Sequence, residues 1–395
     1  MTEYLWRLPS RGDGRRAHPE QRHRGRGRAP IPAADVGANA SRAQGNPVSP
    51  RGTGDRPTAA GPGYGDVTDV RPGRFGPFDD LHQIVHAAEL SGLDGILAPY
   101  DPAGEESWIV AAGALRATRH ARVVVEFHPG FGTPVYAAKI SASLQRFSAG
   151  RLAWRLAVDT DPVDARRRGD RVEGDARYAR AAEFLTVARG VWNESAVAPA
   201  GFTGTGFDFA GEHYDVVNGG FRGILSGLPF PVVHLSGNST AALDLSARHA
   251  DVHTLTETPD GIEPVLTELR ARAAAAGRTV RAGVEVPVIA RATEAEAWAR
   301  VERQWRELYP GATGATARRL GEQRWAGFAH LGYPQDIGLV GSYDQVARRL
   351  RDYAAAGVDT VVLSGHPHLE EVHRAGEHLL FRADPAGRTL KEATA

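Results

Sequence analysis

The sequence contains no cysteine. Disulfides, thiolate metal sites and cysteine nucleophiles are therefore excluded. No window supplies the run of about 18 apolar residues that a membrane-spanning helix needs. The opening stretch, MTEYLWRLPSRGDGRR, lacks the apolar centre of a secretory signal, so a cytoplasmic location is the default expectation. An excess of charge of one sign is missing too: 47 Lys and Arg balance 47 Asp and Glu. That balance argues against nucleic acid or a membrane surface as the main partner. Lysine is nearly absent, Lys139 and Lys391 being the two in the chain, so arginine carries the basic charge. What is present, 42% hydrophobic and 24% charged residues, is the composition of a globular protein with a sizeable core.

Residues 11–75 stand apart, because 20 of these 65 positions are Gly or Pro and 12 are Arg. Such a composition cannot easily bury a core, and a flexible insert is expected there. Around it the hydrophobic pattern alternates between strand and helix periods. Strands are expected at 3–9, 94–100, 121–129, 151–159, 230–237, 251–256, 282–291 and 360–365. Helices are expected over 78–93, 105–118, 134–148, 176–192, 240–249, 261–276, 293–308, 343–356 and 369–381. FDFAGEHYDV (207–216) reads as a small hairpin turning at Ala210–Gly211, and 309–340 as a polar, Gly-containing segment. Eight strands alternating with helices predict parallel strands joined by right-handed crossovers. No G-x-G-x-x-G follows a strand and no Walker A segment occurs. The expected fold is thus a closed (β/α)8 TIM barrel with insertions, one domain over residues 1–395, rather than an open doubly wound sheet.

In such a barrel chemistry collects where the strands end. The ends are polar here, among them His128, Asp159 to Asp161, Ser236 to Asn238, Thr254 to Glu257, Glu285 and Ser364 to His368. In HLSGNSTAALDL (234–245) a strand stops at Ser236–Gly237, and Asn238, Ser239 and Thr240 open a helix. Unpaired N–H groups at a helix N-terminus, flanked by small hydroxyl residues, can bind phosphate. Ser239 suits a plain N-cap equally well. Arg177–Tyr178, at the start of helix 176–192, is a second anion candidate, since a guanidinium fork and a phenol both supply donors. His-Pro-His at 366–368 admits three readings: a metal-ligand pair, an acid–base group, or a polar loop.

Taken together, these segments make the chain resemble the bacterial-luciferase-like flavin-dependent monooxygenases, most nearly their alkanesulfonate monooxygenase branch. The resemblance is carried by WRLPSRGDG (6–14), GILAPYDPAGEESWIVAA (95–112), PVYAAKISASLQRFSAGRLAW (134–154), PVVHLSGNSTAA (231–242), DVHTLTETP (251–259) and LVGSYDQVARRLRDYAAAGVDTVVLSGHPHLEE (339–371). It implies a TIM barrel, homodimeric or homotetrameric, that oxygenates a small organic substrate with O2. The reductant implied is reduced FMN, delivered by a separate NAD(P)H-dependent flavin reductase. It also implies that Ser236, Ser239, Thr240, Arg177 and Tyr178 hold the FMN phosphate, with Gly237 and Asn238 in the same turn. His128, Asp159 and Thr160 would lie near the flavin ring.

The substrate half departs from that branch. Arg11 stands where the branch has His, Gly104 where it has Cys, Glu285 and Pro287 where it has Arg-x-His, and His366 where it has Tyr. Its lid Arg falls near Gly332, within a shortened lid-like segment at 309–340. A carboxylate in place of a guanidinium penalises a sulfonate. The expected substrate is therefore not a simple alkanesulfonate but something less anionic, even cationic. His366 is the first acid–base candidate, followed by His128 and Glu285. Two other readings stay open. One is a flavin- or deazaflavin-binding barrel, a reductase or partner subunit, that oxygenates nothing. The other is a metal-dependent hydrolase using His366, His368, His128 and Asp159; the flavin reading expects no metal.

Overall fold

The computed structural model describes residues 2–10, 77–193, 206–221, 228–309 and 314–388. The expected insert at 11–75, with Arg11, lies outside them. In chain order the strands are β1 (Glu3–Arg7), β2 (Gly95–Ala98), β3 (Arg122–Phe127), β4 (Leu152–Leu156), β5 (Phe207–Ala210), β6 (Asp215–Gly219), β7 (Val232–Ser236), β8 (Val252–Thr256), β9 (Arg281–Arg291), β10 (Arg319–Gly321), β11 (Arg324–Ala326), β12 (Ile337–Ser342) and β13 (Val358–Ser364). Eight of them, β1, β2, β3, β4, β7, β8, β9 and β13, pair in parallel in that order, and β13 closes back on β1. The closed parallel barrel is the expected one. No helix among the described residues is long and apolar enough to cross a membrane.

Local chemistry sets the helix boundaries. Thr133 caps helix Pro134–Ser148, and Pro134 sits in its first turn, where a missing N–H costs nothing. Capping boxes, Thr293 with Glu296 and Ser342 with Gln345, start helices Glu294–Leu308 and Tyr343–Ala355. At the opposite end of the barrel Arg151 donates to the carbonyls of Leu115, Thr118 and Ala121, and Glu89 accepts the N–H groups of residues 119–121. The hairpin β5–β6 is present, its connection running through 211–214, and Glu183 pins it by accepting the N–H groups of Glu212, His213 and Tyr214.

The inside of the barrel is apolar in one layer and ionic in the next. Leu5, Leu97, Val124, Ala153 and Val362 pack together along the axis. Two residues further along three of those strands, on the same face, stand Arg7, Glu126 and Arg155. With Glu285 of β9 they form an ionic quartet in which Glu126, Arg155 and Glu285 are buried and Arg7 is half-buried. Arg155 Nη1 lies 2.5 Å and Arg7 Nη1 2.9 Å from Glu285, while Arg155 Nε lies 3.1 Å and Arg7 Nη2 3.6 Å from Glu126. Glu285 is fully buried. Burial pushes its pKa up, but the guanidiniums of Arg155 and Arg7 outweigh burial and leave it lowered to about 2.

One expectation needs correcting. The segment 309–340 is not merely polar: it builds a small sheet, β10–β11–β12, onto the overlong β9. Val340 and Ile289 of β12 and β9 pack there with Trp298, Trp305, Trp325, Phe328, Leu331 and Tyr333 as a second core. Gly338 explains why β12 was overlooked. A Cβ at this position would meet the carbonyl oxygen of Pro287 at 2.4 Å, so β12 must carry glycine where it passes β9. Glycines in IGLVGS mask a strand.

Glu285→Gln leaves the buried guanidinium of Arg155 and the half-buried one of Arg7 short of a partner, and a loss of about 3–5 kcal/mol is expected in chemical denaturation. Replacing Arg155 as well, by Met, should recover part of it. The pH sign follows from the lowered pKa of Glu285. Its contribution is complete above the unfolded value of about 4.3 and is lost as the pH falls towards about 2. A single-variant loss below about 1 kcal/mol would place the quartet among inconsequential ion pairs.

Candidate active site

Three strand exits, those of β3, β4 and β7, bring most of the expected residues to one arc of the barrel rim. His128 follows β3, Asp159 and Thr160 follow β4, and Ser236 to Thr240 carry β7 into helix Thr240–His249. Arg177 and Tyr178 arrive from the first turn of helix Ala176–Asn193.

The hydrogen bonds in this arc have a readable direction. Gly130 N–H donates to His128 Nδ1 at 3.0 Å. Burial, then the nearby charge of Arg180, lowers the His128 pKa to about 4, so the ring is neutral near pH 7 and carries its proton on Nε2. That N–H faces Thr160 Oγ1 at 3.1 Å and Asp170 Oδ2 at 3.6 Å. Donated to Thr160, it turns the threonine's own proton away from the ring. Asp170 is held by Arg180 through bonds of 2.6 and 2.8 Å, which lower its pKa. Phe131 stacks on His128 at 4.3 Å between ring centres, and Tyr100 stands 6.1 Å away. Together they make an aromatic wall.

Asp159 joins the other group. The Tyr178 hydroxyl donates to Asp159 Oδ1 and lies 3.1 Å from Ser239 Oγ. Burial, then this bond to Asp159, raises the Tyr178 pKa to about 12. Ser239 caps its helix by accepting from Ala242 N–H at 3.2 Å. Arg177 Nη1 donates to the Thr160 carbonyl at 2.8 Å, and its Nη2 stands 4.0 Å from Asp159 Oδ1. Gly237 has φ +117°, and a Cβ there would come within 2.9 Å of both Ala242 Cβ and Asp159 Oδ2. A glycine is required for this turn to close against the loop after β4. Ser236 is half-buried, while Asn238, Ser239 and Thr240 are exposed.

The other two acid–base candidates lie elsewhere. His366 follows β13, which lies between β9 and β1 in the barrel, and its carbonyl accepts from Gln304 at 3.1 Å and Arg300 at 3.3 Å. His368 accepts the Trp6 indole N–H at Nδ1, 3.2 Å away. Glu285 lies inside the barrel, ion-paired to two arginines, so it is ionised and a weak base near pH 7. The expectation that it puts net negative charge in the substrate pocket is corrected, because Arg155 and Arg7 match the charges of Glu285 and Glu126. Among the described residues, no group of three or more His, Asp or Glu comes together in a way that could hold a metal ion.

Residues 56–360 match the model of the luciferase-like monooxygenase family. The chain belongs to that family. Solved structures repeat the fold. The EDTA monooxygenase of Chelativorans sp. BNC1 is 20% identical, with TM-score 0.62 over 78% of this chain and 87% of that one. A riboflavin lyase, solved with modified FMN and riboflavin, is 19% identical, with TM-score 0.63 over 78% and 85%. An F420-dependent secondary alcohol dehydrogenase is 15% identical, with TM-score 0.58 over 77% and 94%. At these identities the likeness concerns the fold alone. Within the luciferase-like chain, sequence reasoning counted Tyr100 among the strand ends but missed Asp170, Arg180 and Phe131, which with it surround His128, and the partners of Glu285. The latter had a signal: YLWRL, VVVEF, LAWRL and VEVPV each carry one charge in an apolar strand.

Three buried histidines, His128, His234 and His253, and the half-buried His249 have pKa values lowered to about 4, 3, 4 and 4, first by burial and then by nearby arginines. Above pH about 6.5 they are neutral folded or unfolded, and their contribution is complete; below it the unfolded chain takes up protons that the fold refuses. Stability should therefore fall as the pH drops from about 6.5 towards 4, by on the order of 1–2 kcal/mol per histidine at pH 5. Urea midpoints at several pH values check this. Equal midpoints at pH 5 and 7.5 would show the rings to be protonated in the fold.

Proposed function

We propose that the protein is a two-component monooxygenase that uses reduced FMN and O2 on a small organic substrate. A separate NAD(P)H-dependent flavin reductase would supply the reduced FMN. The observation that carries this reading is the rim cluster of Arg177, Tyr178, Ser239 and Gly237 beside the helix Thr240–His249 N-terminus, in a chain of the luciferase-like monooxygenase family. Its donors suit a phosphate: one guanidinium, a phenol, the hydroxyls of Ser239 and Thr240, and the first-turn N–H groups. The EDTA monooxygenase among the structural neighbours supports oxygenation, and the riboflavin lyase supports a flavin.

A bound reduced flavin supplies two electrons, so that one oxygen atom of O2 enters the substrate and the other leaves as water. The chain's own contribution is to bind and shield. Arg177, Tyr178, Ser236, Ser239 and Thr240 would hold the phosphate, with Gly237 and Asn238 shaping the turn. Phe131 and Tyr100 wall off His128 from water. Neutral His128 donates to the Thr160 hydroxyl and so turns the threonine's proton away from the ring. His366 remains the candidate proton carrier on the other side of the mouth. Among the described residues, the cations of the barrel floor, Arg7 and Arg155, are already matched by Glu126 and Glu285. That supports a substrate other than a simple alkanesulfonate.

The F420-dependent neighbour gives a second reading, a deazaflavin enzyme that transfers hydride without using O2. One experiment separates the two. The protein is titrated anaerobically with reduced FMN and, separately, with reduced F420, then mixed with 18O2 and candidate substrates. The proposal expects reduced FMN to bind and one 18O atom to appear in product. Binding of F420 alone, with substrate reduced and no O2 consumed, would replace it with the deazaflavin reading.

A further inference from the structure

The rim cluster already contains an anion, the carboxylate of Asp159. Three donors lead to it in series. Ala242 N–H donates to Ser239 Oγ at 3.2 Å. The Ser239 hydroxyl, 3.1 Å from Tyr178, donates to the phenol oxygen, because the phenol's own proton is committed to Asp159 Oδ1. Arg177 Nη2 stands 4.0 Å from that same carboxylate oxygen. The other oxygen, Oδ2, lies against the turn at Gly237 that feeds helix Thr240–His249. Ser239 and Tyr178 thus have both proton and acceptor roles filled from within the protein.

We infer that Asp159 is an internal stand-in for the cofactor phosphate, occupying its donors until the phosphate displaces it. This rests on the flavin reading above and deepens it. A carboxylate and a phosphate ask for the same donors, and two anions sharing them would repel. Asp159 is free to leave. It sits in the irregular segment between β4 and helix Pro162–Arg167, and 49% of its side chain is exposed. The fraction of molecules with the carboxylate turned out sets the apparent affinity for a phosphorylated ligand. A ligand without a phosphate does not compete. Asp159 therefore narrows the preference for FMN over riboflavin and lets the rim release the phosphorylated flavin.

Equilibrium titrations of wild type, Asp159→Asn and Asp159→Ala with FMN, riboflavin and inorganic phosphate test this, with thermal melts confirming that each protein is folded. Asp159→Ala should bind FMN and inorganic phosphate roughly ten- to hundredfold more tightly than wild type. Asp159→Asn, which keeps an acceptor without the charge, should gain less, and riboflavin binding should not change. If FMN and phosphate bind no more tightly to either variant, Asp159 is a ligand or a bystander and the inference falls. If no flavin binds any of the three proteins but phosphate still tightens in Asp159→Ala, the stand-in holds and the flavin reading fails.

Discussion

The rest of the molecule is arranged around a pair of arginines and a pair of glutamates sealed inside a barrel. Arg7, Glu126, Arg155 and Glu285 come from four different strands, and Glu285 has no solvent contact at all. Buried charges are tolerable only when matched, so the four strands must keep their register for the charges to meet. The surrounding loops are tied in: Tyr100 N–H donates to Glu126 at 2.9 Å, and Gln335, from the stretch between β11 and β12, hydrogen-bonds to Glu285. The result is an electrically neutral floor beneath the mouth. Any charge selectivity must come from the rim.

On the rim, the two sides differ in their side chains. The arc from β3 to β7 holds a neutral histidine, an aromatic wall and a set of anion donors. The side of β9 and β13 carries His366 and is buttressed by helix Glu294–Leu308 and the tryptophan-rich second core. Under the proposal, an anionic, planar ligand would take one side and a substrate the other. That is the division of labour proposed for the flavin and the molecule it oxygenates.

The barrel was legible because its signal is repetitive: eight apolar strands alternate with capped helices, and the start of helix Pro134–Ser148 is written in Thr133–Pro134. The β10–β11–β12 addition was not, because β12 carries Gly338 for close backbone approach and β10 and β11 span three residues each. At the site, the turn from Ser236 to Thr240 announced itself through small polar residues before a helix. Asp170 and Arg180 did not, since their bond joins residues ten apart whose facing depends on the loop between them. Glu285 teaches the reverse lesson. Read alone it is a negative charge; read with Arg7, Glu126 and Arg155, all in apolar strands, it is one corner of a neutral square. Asp159 likewise looked like a companion of Thr160 and His128, yet its carboxylate turns to Tyr178.

The central claim is that the arc between β3 and β7 receives a flavin phosphate. A crystal structure of the protein soaked with FMN tests it most directly. The account predicts phosphorus density among Arg177, Tyr178 and Ser239, at the Gly237 turn, with the Asp159 carboxylate displaced from the Tyr178 hydroxyl. FMN bound with its phosphate elsewhere on the rim, and Asp159 still on Tyr178, would contradict it.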